Sequence, residues 1–489
     1  MLGLIKKEER AMRNLLYLLI AFLISACSLK PTLVIPEANY TAQEDNVSIS
    51  KEWWKGFNDE KLNLLVDKAL KNNTDLRIAF IRLEQAAETL GIDRSDLFPK
   101  LDASASGTRA KTSINAPTNQ TNQFVYNNDF KMGLNLSYEV DIWGKYRDNF
   151  FASLSAYRAS EFEFEGARLS LIANVVQTYF NTANAYENME ILEKTLEAYT
   201  QSYELNLAKY EAGAIGEYEL AQFRAELEKA KADYANAVVS KETYLKALKI
   251  LVASDLDDIL YKEQDYQKFG EFAMSLPEGI GSEILLQRPD VSATLKHLME
   301  KNYLVGVART AFLPSLSLTG LLGFESNDLD TLVKNGSKTW NIGGSFLMPI
   351  FHWGEIVNNV NLAKLNKDEA FLNYENTLRT AFAEIRLALI QRKMNVQSYQ
   401  NYKSLLEAQQ KIYDIASLRY ESGNIELIDY LDARRNLLSA KISFANANYA
   451  MANSIVDVIK AFGGGFKESK NSSKEIEEET KSLDMSFRE

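Results

Sequence analysis

The chain has 489 residues, of which 46% are hydrophobic and 25% are charged, a composition typical of folded proteins rather than disordered ones. Its formal net charge of −11 argues against nucleic acid as the main partner. One cysteine and two histidines, His297 and His352, exclude a disulfide framework and a zinc site built on several thiolates. We therefore expect no metal, no dissociable cofactor and no catalytic centre.

Residues 1–26 have the features of an export signal. Basic residues precede an apolar run at 15–24 that is too short to span a bilayer. The run ends in Ile-Ser-Ala-Cys, which resembles the processing box of bacterial lipoproteins. Such processing cleaves before Cys27 and adds diacylglycerol to its sulfur and an acyl chain to its amine. The residue after the cysteine is Ser28 rather than aspartate, which favours sorting to the outer membrane. The alternative is an ordinary signal peptide in which the cysteine occurs by chance. Translation could also start at Met12 rather than at Met1.

The positions of the prolines predict two long helices. No proline lies between Pro117 and Pro277, and none follows Pro349. Because proline breaks helix interiors, both gaps can be helical, and the stretches 149–213 and about 358–423 have a suitable composition. Each would be about 95 Å long, at about 1.5 Å per residue. Helices of this length indicate a bundle of coiled-coil type.

The spacing of short motifs predicts an internal duplication. The Trp-Gly pair at 143–144 recurs at 353–354, and "KYEAG" ending at Gly213 recurs as "RYESG" ending at Gly423, both after 210 residues. The stretch 91–99, from a glycine to a proline, recurs at 306–314 after 215 residues. Three repeats in order at a nearly constant offset indicate two halves with the same plan. The predicted segments are an acylated extended stretch 27–58, a first repeat 59–275, a second repeat 276–466 and a polar tail 467–489.

Alternating stretches predict one β-hairpin in each half. Residues 130–142 alternate strictly between apolar and polar, residues 315–324 and 340–350 do likewise, and 101–112 alternate weakly. A soluble sandwich is one interpretation. Outer-membrane strands, apolar toward lipid and polar toward a lumen, fit better because the polar faces carry several charges. Aromatic residues near the strand ends suit an interfacial girdle, namely Tyr138, Trp143, Trp340 and Trp353.

Four strands cannot close a barrel, and an open sheet edge cannot face lipid. Several copies must then share one barrel, and three copies of a four-stranded chain would supply 12 strands around a water-filled lumen. We therefore expect an α+β membrane protein, a homotrimeric tunnel whose transmembrane β-barrel continues into a long periplasmic α-helical barrel. The polar loops 113–128 and 325–338 should face the cell exterior.

These features together resemble the TolC/OprM outer-membrane factor family. The resemblance rests on the box ending at Cys27, the duplicated helix–hairpin–helix, Trp53-Trp54, "LLQRPD" at 285–290 and "ARTAFLPSLSLTG" at 308–320. It implies a channel in outer-membrane lipid that docks on a periplasmic adaptor and an inner-membrane RND pump and exports drugs and amphiphiles. A duct for type I protein secretion is the alternative within the family. A spacer or enzymatic lipoprotein is the alternative outside it.

A tunnel must close at its periplasmic end, and the sequence after Gly423 offers acidic residues for a gate. Asp429 and Asp432 are three residues apart and so lie on one face of a helix. In a threefold assembly they would form rings of carboxylates, which are known constrictions of cation-passing pores. The resemblance implies that these two positions line the aperture. The alternative is that both are solvated helix charges.

The resemblance also implies contacts that hold such a gate closed. A tyrosine matching Tyr420 and an acid matching Glu219 would help to tie the coils together. The family's usual basic partner is matched here by Ile425. Another arginine, Arg434 or Arg419, would therefore have to supply the ionic contact.

Overall fold

The computed structural model describes residues 28–33, 52–113, 125–256 and 288–464. The signal, the acylation site Cys27 and the polar tail that the sequence predicts lie outside these ranges. Within them, no helix combines the length and the apolar character needed to cross a membrane.

Helices and strands alternate in an order that repeats. The helices of the described ranges are α1 (Glu60–Asn72), α2 (Thr74–Ser95), α3 (Lys145–Glu211), α4 (Glu217–Val252), α5 (Pro289–Thr310), α6 (Glu355–Glu421) and α7 (Leu427–Ala461). The strands are β1 (Lys100–Thr112), β2 (Val125–Glu139), β3 (Ser315–Ser326) and β4 (Lys338–Leu347). In each half a hairpin is followed by a helix of 67 residues and then a shorter helix, as the sequence predicts.

Glycines in the left-handed backbone region mark both ends of the two long helices. Gly144 precedes α3 with φ 78°, and Gly354 precedes α6 with φ 89°. Gly213 and Gly423 follow these helices with φ 70° and 74°, and each amide donates to the carbonyl three residues earlier at 2.9 Å. Glycine adopts this conformation without the Cβ clash of other residues. Both helices begin a few residues earlier than the sequence predicts, directly after these turns.

The four strands form one antiparallel sheet in the order β1-β2-β3-β4. The register places Leu101 opposite Leu136, Leu136 opposite Gly320, and Gly320 opposite Ile342. Residues directly opposite one another share a face, so the apolar sets of all four strands lie on the same side. β1 and β4 are the edges of the sheet, and neither pairs with a further strand among the described residues.

The apolar face of the sheet is uncovered in the single chain. Leu322, Trp340 and Ile342 are 66%, 72% and 81% exposed. On the opposite face, Asn135 donates from its side-chain nitrogen to Ser104 Oγ at 2.7 Å. An exposed apolar face opposite a polar face is typical of strands that lie between lipid and an aqueous lumen.

The strands differ at their ends from the sequence prediction. β2 begins at Val125, within the predicted loop 113–128, because residues from 125 onward pair with β1. It ends at Glu139 rather than at 142. β4 ends at Leu347 rather than at 350, and Pro349 just beyond has no N–H for a ladder hydrogen bond.

The main apolar core lies where α1, the middle of α3 and the end of α7 meet. Trp53, Trp54, Phe180 and Phe462 are each less than 2% exposed. Tyr179 donates its hydroxyl proton to Asp59 Oδ2 at 2.6 Å inside this core. The tryptophan pair that contributes to the family resemblance is therefore a packing element rather than a binding site.

His297 of α5 connects two helices through ion pairs. Its Nε2 lies 3.0 Å from Glu163 Oε1 of α3, and its Nδ1 lies 3.1 Å from Glu300 Oε2. Hydrogen bonds to Glu163 and then to Glu300 raise the pKa of His297 to about 9, against the opposing effect of burial. Lys301 Nζ also contacts Glu300, at 2.6 Å. His297 is thus charged at neutral pH and has a structural role.

This pair of contacts predicts a pH-dependent contribution to stability. Because folding raises the pKa of His297 above 6.5, the contribution should be complete below pH 6.5 and disappear as the pH rises through about 9. His297→Gln should therefore lower the melting temperature near pH 6, by a few degrees at most because the site is partly exposed, and should have no effect near pH 10. Thermal melting across this range measures it.

His352→Gln is the matched control, since His352 Nδ1 lies 3.7 Å from Glu355, the first residue of α6, and forms no ion pair with a second helix among the described residues. A melting difference for His297→Gln that stays constant from pH 6 to 10 would contradict the assignment.

Candidate functional site at the helix tips

Helices α3 and α4 form one helical hairpin and α6 and α7 form another, and their tips are the turns at Gly213 and Gly423. A small apolar cluster near these tips joins the two hairpins. Phe223 of α4 and Leu427 and Leu431 of α7 are buried in it. Three tyrosines pack around this cluster, namely Tyr203, Tyr420 and Tyr430. Gly423 donates its amide to the carbonyl of Tyr420, so the turn at the end of α6 lies next to this cluster.

Tyr420 is stacked within this cluster. Its ring centroid lies 4.8 Å from that of Tyr430, with 8° between the ring planes. Burial, and then the charge of Glu219, raise the pKa of Tyr420. Burial likewise raises the pKa of Tyr430 to about 12. Both hydroxyls therefore stay protonated at neutral pH and can donate hydrogen bonds. The structure brings Tyr420 into the electrostatic range of Glu219 in the first turn of α4.

Asp429 and Asp432 lie exposed on the first turns of α7. Asp432 accepts a hydrogen bond from the guanidinium of Arg435, and Arg435 Nε lies 3.6 Å from Glu226 Oε1 of α4. Arg435 thus lies between two carboxylates of different helices. The charge of Asp432 is partly balanced, whereas Asp429 has no ion pair of this kind in the described part of the chain.

The arginines that the sequence singled out have other positions. Arg434 lies over the ring of Tyr199, with 3.7 Å from its Cζ to the ring centroid. Arg419 is exposed near the end of α6, and Ile425 is half-buried in the turn that follows. Instead, Arg435 makes the ionic contacts, with Asp432 and Glu226. Its spacing of three residues from Asp432 is the one sequence signal that could have predicted this role.

The aromatic residues of the predicted girdle lie at two levels of the sheet. Tyr138, Trp143 and Trp353 are at the end from which the helices leave, and Trp340 is toward the opposite end. Trp353 is 89% exposed, while Trp143 is half-buried and donates its indole N–H to the carbonyl of Pro314 at 2.7 Å. Two aromatic levels on one sheet are typical of a band between two membrane interfaces.

The segment that follows the predicted acylation site lies against the helices near the sheet. Ser28 Oγ donates to Asp148 Oδ1 at 2.7 Å, at the start of α3. Backbone carbonyls of residues 28–33 accept hydrogen bonds from Asn302 and from Arg309 of α5, each at 2.9 Å. The chain that follows Cys27 is therefore fixed near the junction of sheet and helices.

Comparisons with known proteins agree with this geometry. A sequence model described as outer membrane efflux protein matches residues 65–253 and 280–464. The chain is 31% identical over 463 residues to the probable efflux pump outer membrane protein TtgC of Pseudomonas putida, covering 92% of this chain and 94% of that one. It is 29% identical over 465 residues to the cation efflux system protein CusC of Escherichia coli O157:H7, covering 93% and 99%.

The crystal structure of the Campylobacter jejuni CmeC outer membrane channel superimposes with a TM-score of 0.88. It is 61% identical, and the match covers 94% of this chain and 100% of that one. The stretches "DIWGKYRD" at 141–148 and "LLGFES" at 321–326 contribute to the resemblance to CmeC.

The exposed apolar sheet and the long helices that leave one of its ends define an outer-membrane channel subunit with a periplasmic extension. The chain belongs to the outer membrane efflux protein family. The resemblance to outer-membrane factors, the localisation in the outer membrane and the role as an efflux channel component are confirmed by these matches. The family consists of channels rather than enzymes.

Proposed function

We propose that three copies of this chain form the outer-membrane channel of a tripartite RND-type multidrug efflux pump. The channel would carry drugs and other amphiphiles from the periplasm or the pump to the exterior. The observation that carries this proposal is the exposed apolar face of a sheet whose two edges have no partner within the described chain. Such a sheet is stable in lipid only when copies pair edge to edge.

The strand count supports the trimer. Pairing β4 of one copy with β1 of the next closes a barrel, and three copies supply 12 strands. Two helices of 67 residues per chain, each about 100 Å long, then continue the barrel into the periplasm. A conduit of this length would reach a periplasmic adaptor and, with it, an inner-membrane pump.

The functions of the named relatives support efflux over protein secretion. TtgC and CusC are both described as components of efflux systems. The tunnel would be passive, with its direction set by the pump. A duct for a type I secretion system remains the alternative, because the same architecture would also pass an unfolded polypeptide.

Drug accumulation separates these two functions. Cells that lack this chain should retain a fluorescent efflux substrate several-fold more strongly than cells that carry it, and expression of the chain should restore export. The same cells should secrete type I substrates normally. Loss of protein secretion with unchanged drug accumulation would contradict the efflux assignment.

The helix tips would form the gate of this channel. In a trimer, Asp429 and Asp432 would each supply three carboxylates around a narrow neck, where little water screens their field. Their repulsion opposes closure, so the tyrosine stack and the Arg435 contacts to Asp432 and Glu226 would hold the tips together. Contact with the adaptor and the pump would open the gate by favouring a splayed state.

Substitution of the two aspartates should change cation block in planar bilayers. Asp429→Ala with Asp432→Ala should weaken block by divalent and trivalent cations by about tenfold, because the carboxylate rings are lost. Arg435→Gln is the opposite control and should strengthen block, since it removes the cation that balances Asp432. Tyr420→Phe keeps the stacked ring but removes the hydroxyl that lies in the electrostatic range of Glu219, and it should raise the open fraction with little change in selectivity.

Unchanged block in the double alanine variant would mean that these aspartates are only solvated helix charges. The gate would then have to lie elsewhere in the tunnel.

Native mass spectrometry of the purified protein tests assembly and acylation together. We expect three chains per particle. Each chain should begin at Cys27 and carry the mass of one diacylglycerol on sulfur and one acyl chain on nitrogen. Cys27→Ser should abolish the lipid mass and leave the trimer intact once it is inserted, because the barrel itself holds the protein in the membrane. A particle of one chain would refute the trimer, and an unmodified terminus would refute the acylation.

A further inference from the structure

The charges on the lipid-facing side of the sheet are unevenly distributed. The apolar face of β1–β4 carries three charged residues, and all three are basic: Arg109, Lys111 and Lys338. The polar face carries charges of both signs, and Lys131 Nζ there lies 2.9 Å from Asp129 and 3.2 Å from Glu325. Within these four strands, the acids are thus confined to the lumen side.

The three basic residues also share one end of the sheet. Lys338 is the first residue of β4, and Arg109 and Lys111 are among the last four residues of β1. The helices leave from the other end, at Lys100 and beyond Leu347. With the helices in the periplasm, the basic residues lie at the outer rim of the barrel.

An aromatic ring supports the cations at this rim. Arg109 Cζ and Lys111 Nζ lie 5.7 and 5.8 Å from the ring centroid of Tyr126 in β2, which is itself exposed. Cation–π contact holds both groups near the surface of the sheet. On β4, exposed Trp340 occupies the same face two residues from Lys338. The cations therefore lie beside aromatic rings near the outer end of the sheet, where membrane headgroups are found.

We propose that Arg109, Lys111 and Lys338 form a binding site for the phosphate groups of outer-leaflet lipids. These groups sit on the face that meets the bilayer, so their ligand must approach from the membrane rather than through the lumen. The anionic groups available at that depth are headgroup phosphates. Basic residues beside a membrane gain affinity from such groups, and arginine can bind a phosphate with two parallel hydrogen bonds.

The assembly would complete this site at the seam between copies, and this part rests on the proposed trimer. Lys338 belongs to one edge strand and Arg109 and Lys111 to the other. When β4 of one copy pairs with β1 of the next, the cations of both chains flank the same seam. A phosphorylated lipid bound there would bridge two chains and reinforce the closed barrel.

Native mass spectrometry with lipid A as the probe tests the site. The wild-type trimer should retain diphosphorylated lipid A about tenfold more tightly than fully dephosphorylated lipid A, because the acyl chains are identical and only the phosphates differ. The variant with Arg109→Gln, Lys111→Gln and Lys338→Gln should bind diphosphorylated lipid A about tenfold more weakly than the wild type does, because its phosphates then have no cations to contact. Lys131→Gln, a lumen-face change in the same hairpin, should bind as the wild type does.

Two results would overturn the proposal: equal retention of the two lipids by the wild type, or unchanged retention by the triple variant. Inorganic phosphate at millimolar concentration should not displace the lipid, and full displacement would mean a small-anion site instead. If the triple variant fails to assemble, the comparison of the two lipids on the wild type decides. The same spectra count the chains, so a failed trimer is distinguished from a failed lipid site.

Discussion

A sheet edge in hydrocarbon leaves backbone N–H and C=O groups without partners, at a cost of several kcal/mol per group. This chain has two such edges, β1 and β4, and an apolar face between them that the described residues leave uncovered. The rest of the architecture is consistent with this constraint. The α-helices of the described residues leave from one end of the sheet, which keeps both edges and the apolar face accessible to other copies.

The internal duplication gives the two halves the same backbone but different chemistry. The turns after Gly213 and Gly423 have nearly the same φ and the same hydrogen bond. The side chains beyond them differ, since α4 begins with Glu217 and Glu219, while α7 presents Asp429 and then the arginine pair at 434–435. Tips of equal shape and unequal charge can pack against each other, with Arg435 of α7 facing Glu226 of α4.

The sequence predicted those features whose signal is local or periodic. Alternation of period two revealed the strands, the absence of proline revealed the long helices, and a constant offset revealed the duplication. The strand ends were less certain, because the pairing of Val125 depends on the register with β1 and leaves no mark in the local pattern.

Contacts between distant segments could not be predicted in this way. Arg435 meets Glu226 only because α4 and α7 pack together, and His297 meets Glu163 across 134 residues. The hydrogen bond from Ser28 to Asp148 likewise depends on the folded arrangement of segments far apart in the chain. Each contact is decided by how distant segments pack together, whereas the residue types alone would allow many other pairs.

The distribution of charge follows from what surrounds each part of the molecule. On the polar face of the sheet, water is present and charges of both signs can pair, as Lys131 does with Asp129 and Glu325. Toward lipid, a charge is tolerated only at the rim, where it can reach headgroups, and there the described strands carry cations alone.

At the helix tips a third situation holds, since exposed acids lie near a narrow neck of the proposed assembly. In the proposed conduit, fixed charge and side-chain packing at the tips would provide both selectivity and closure. The overall charge of −11 argues against nucleic acid as a partner but does not by itself indicate a channel. The distribution of the charges is more informative. Basic residues lie at the outer rim, both signs occur on the lumen face and exposed acids lie at the tips, and each region would meet a different environment along the proposed tunnel.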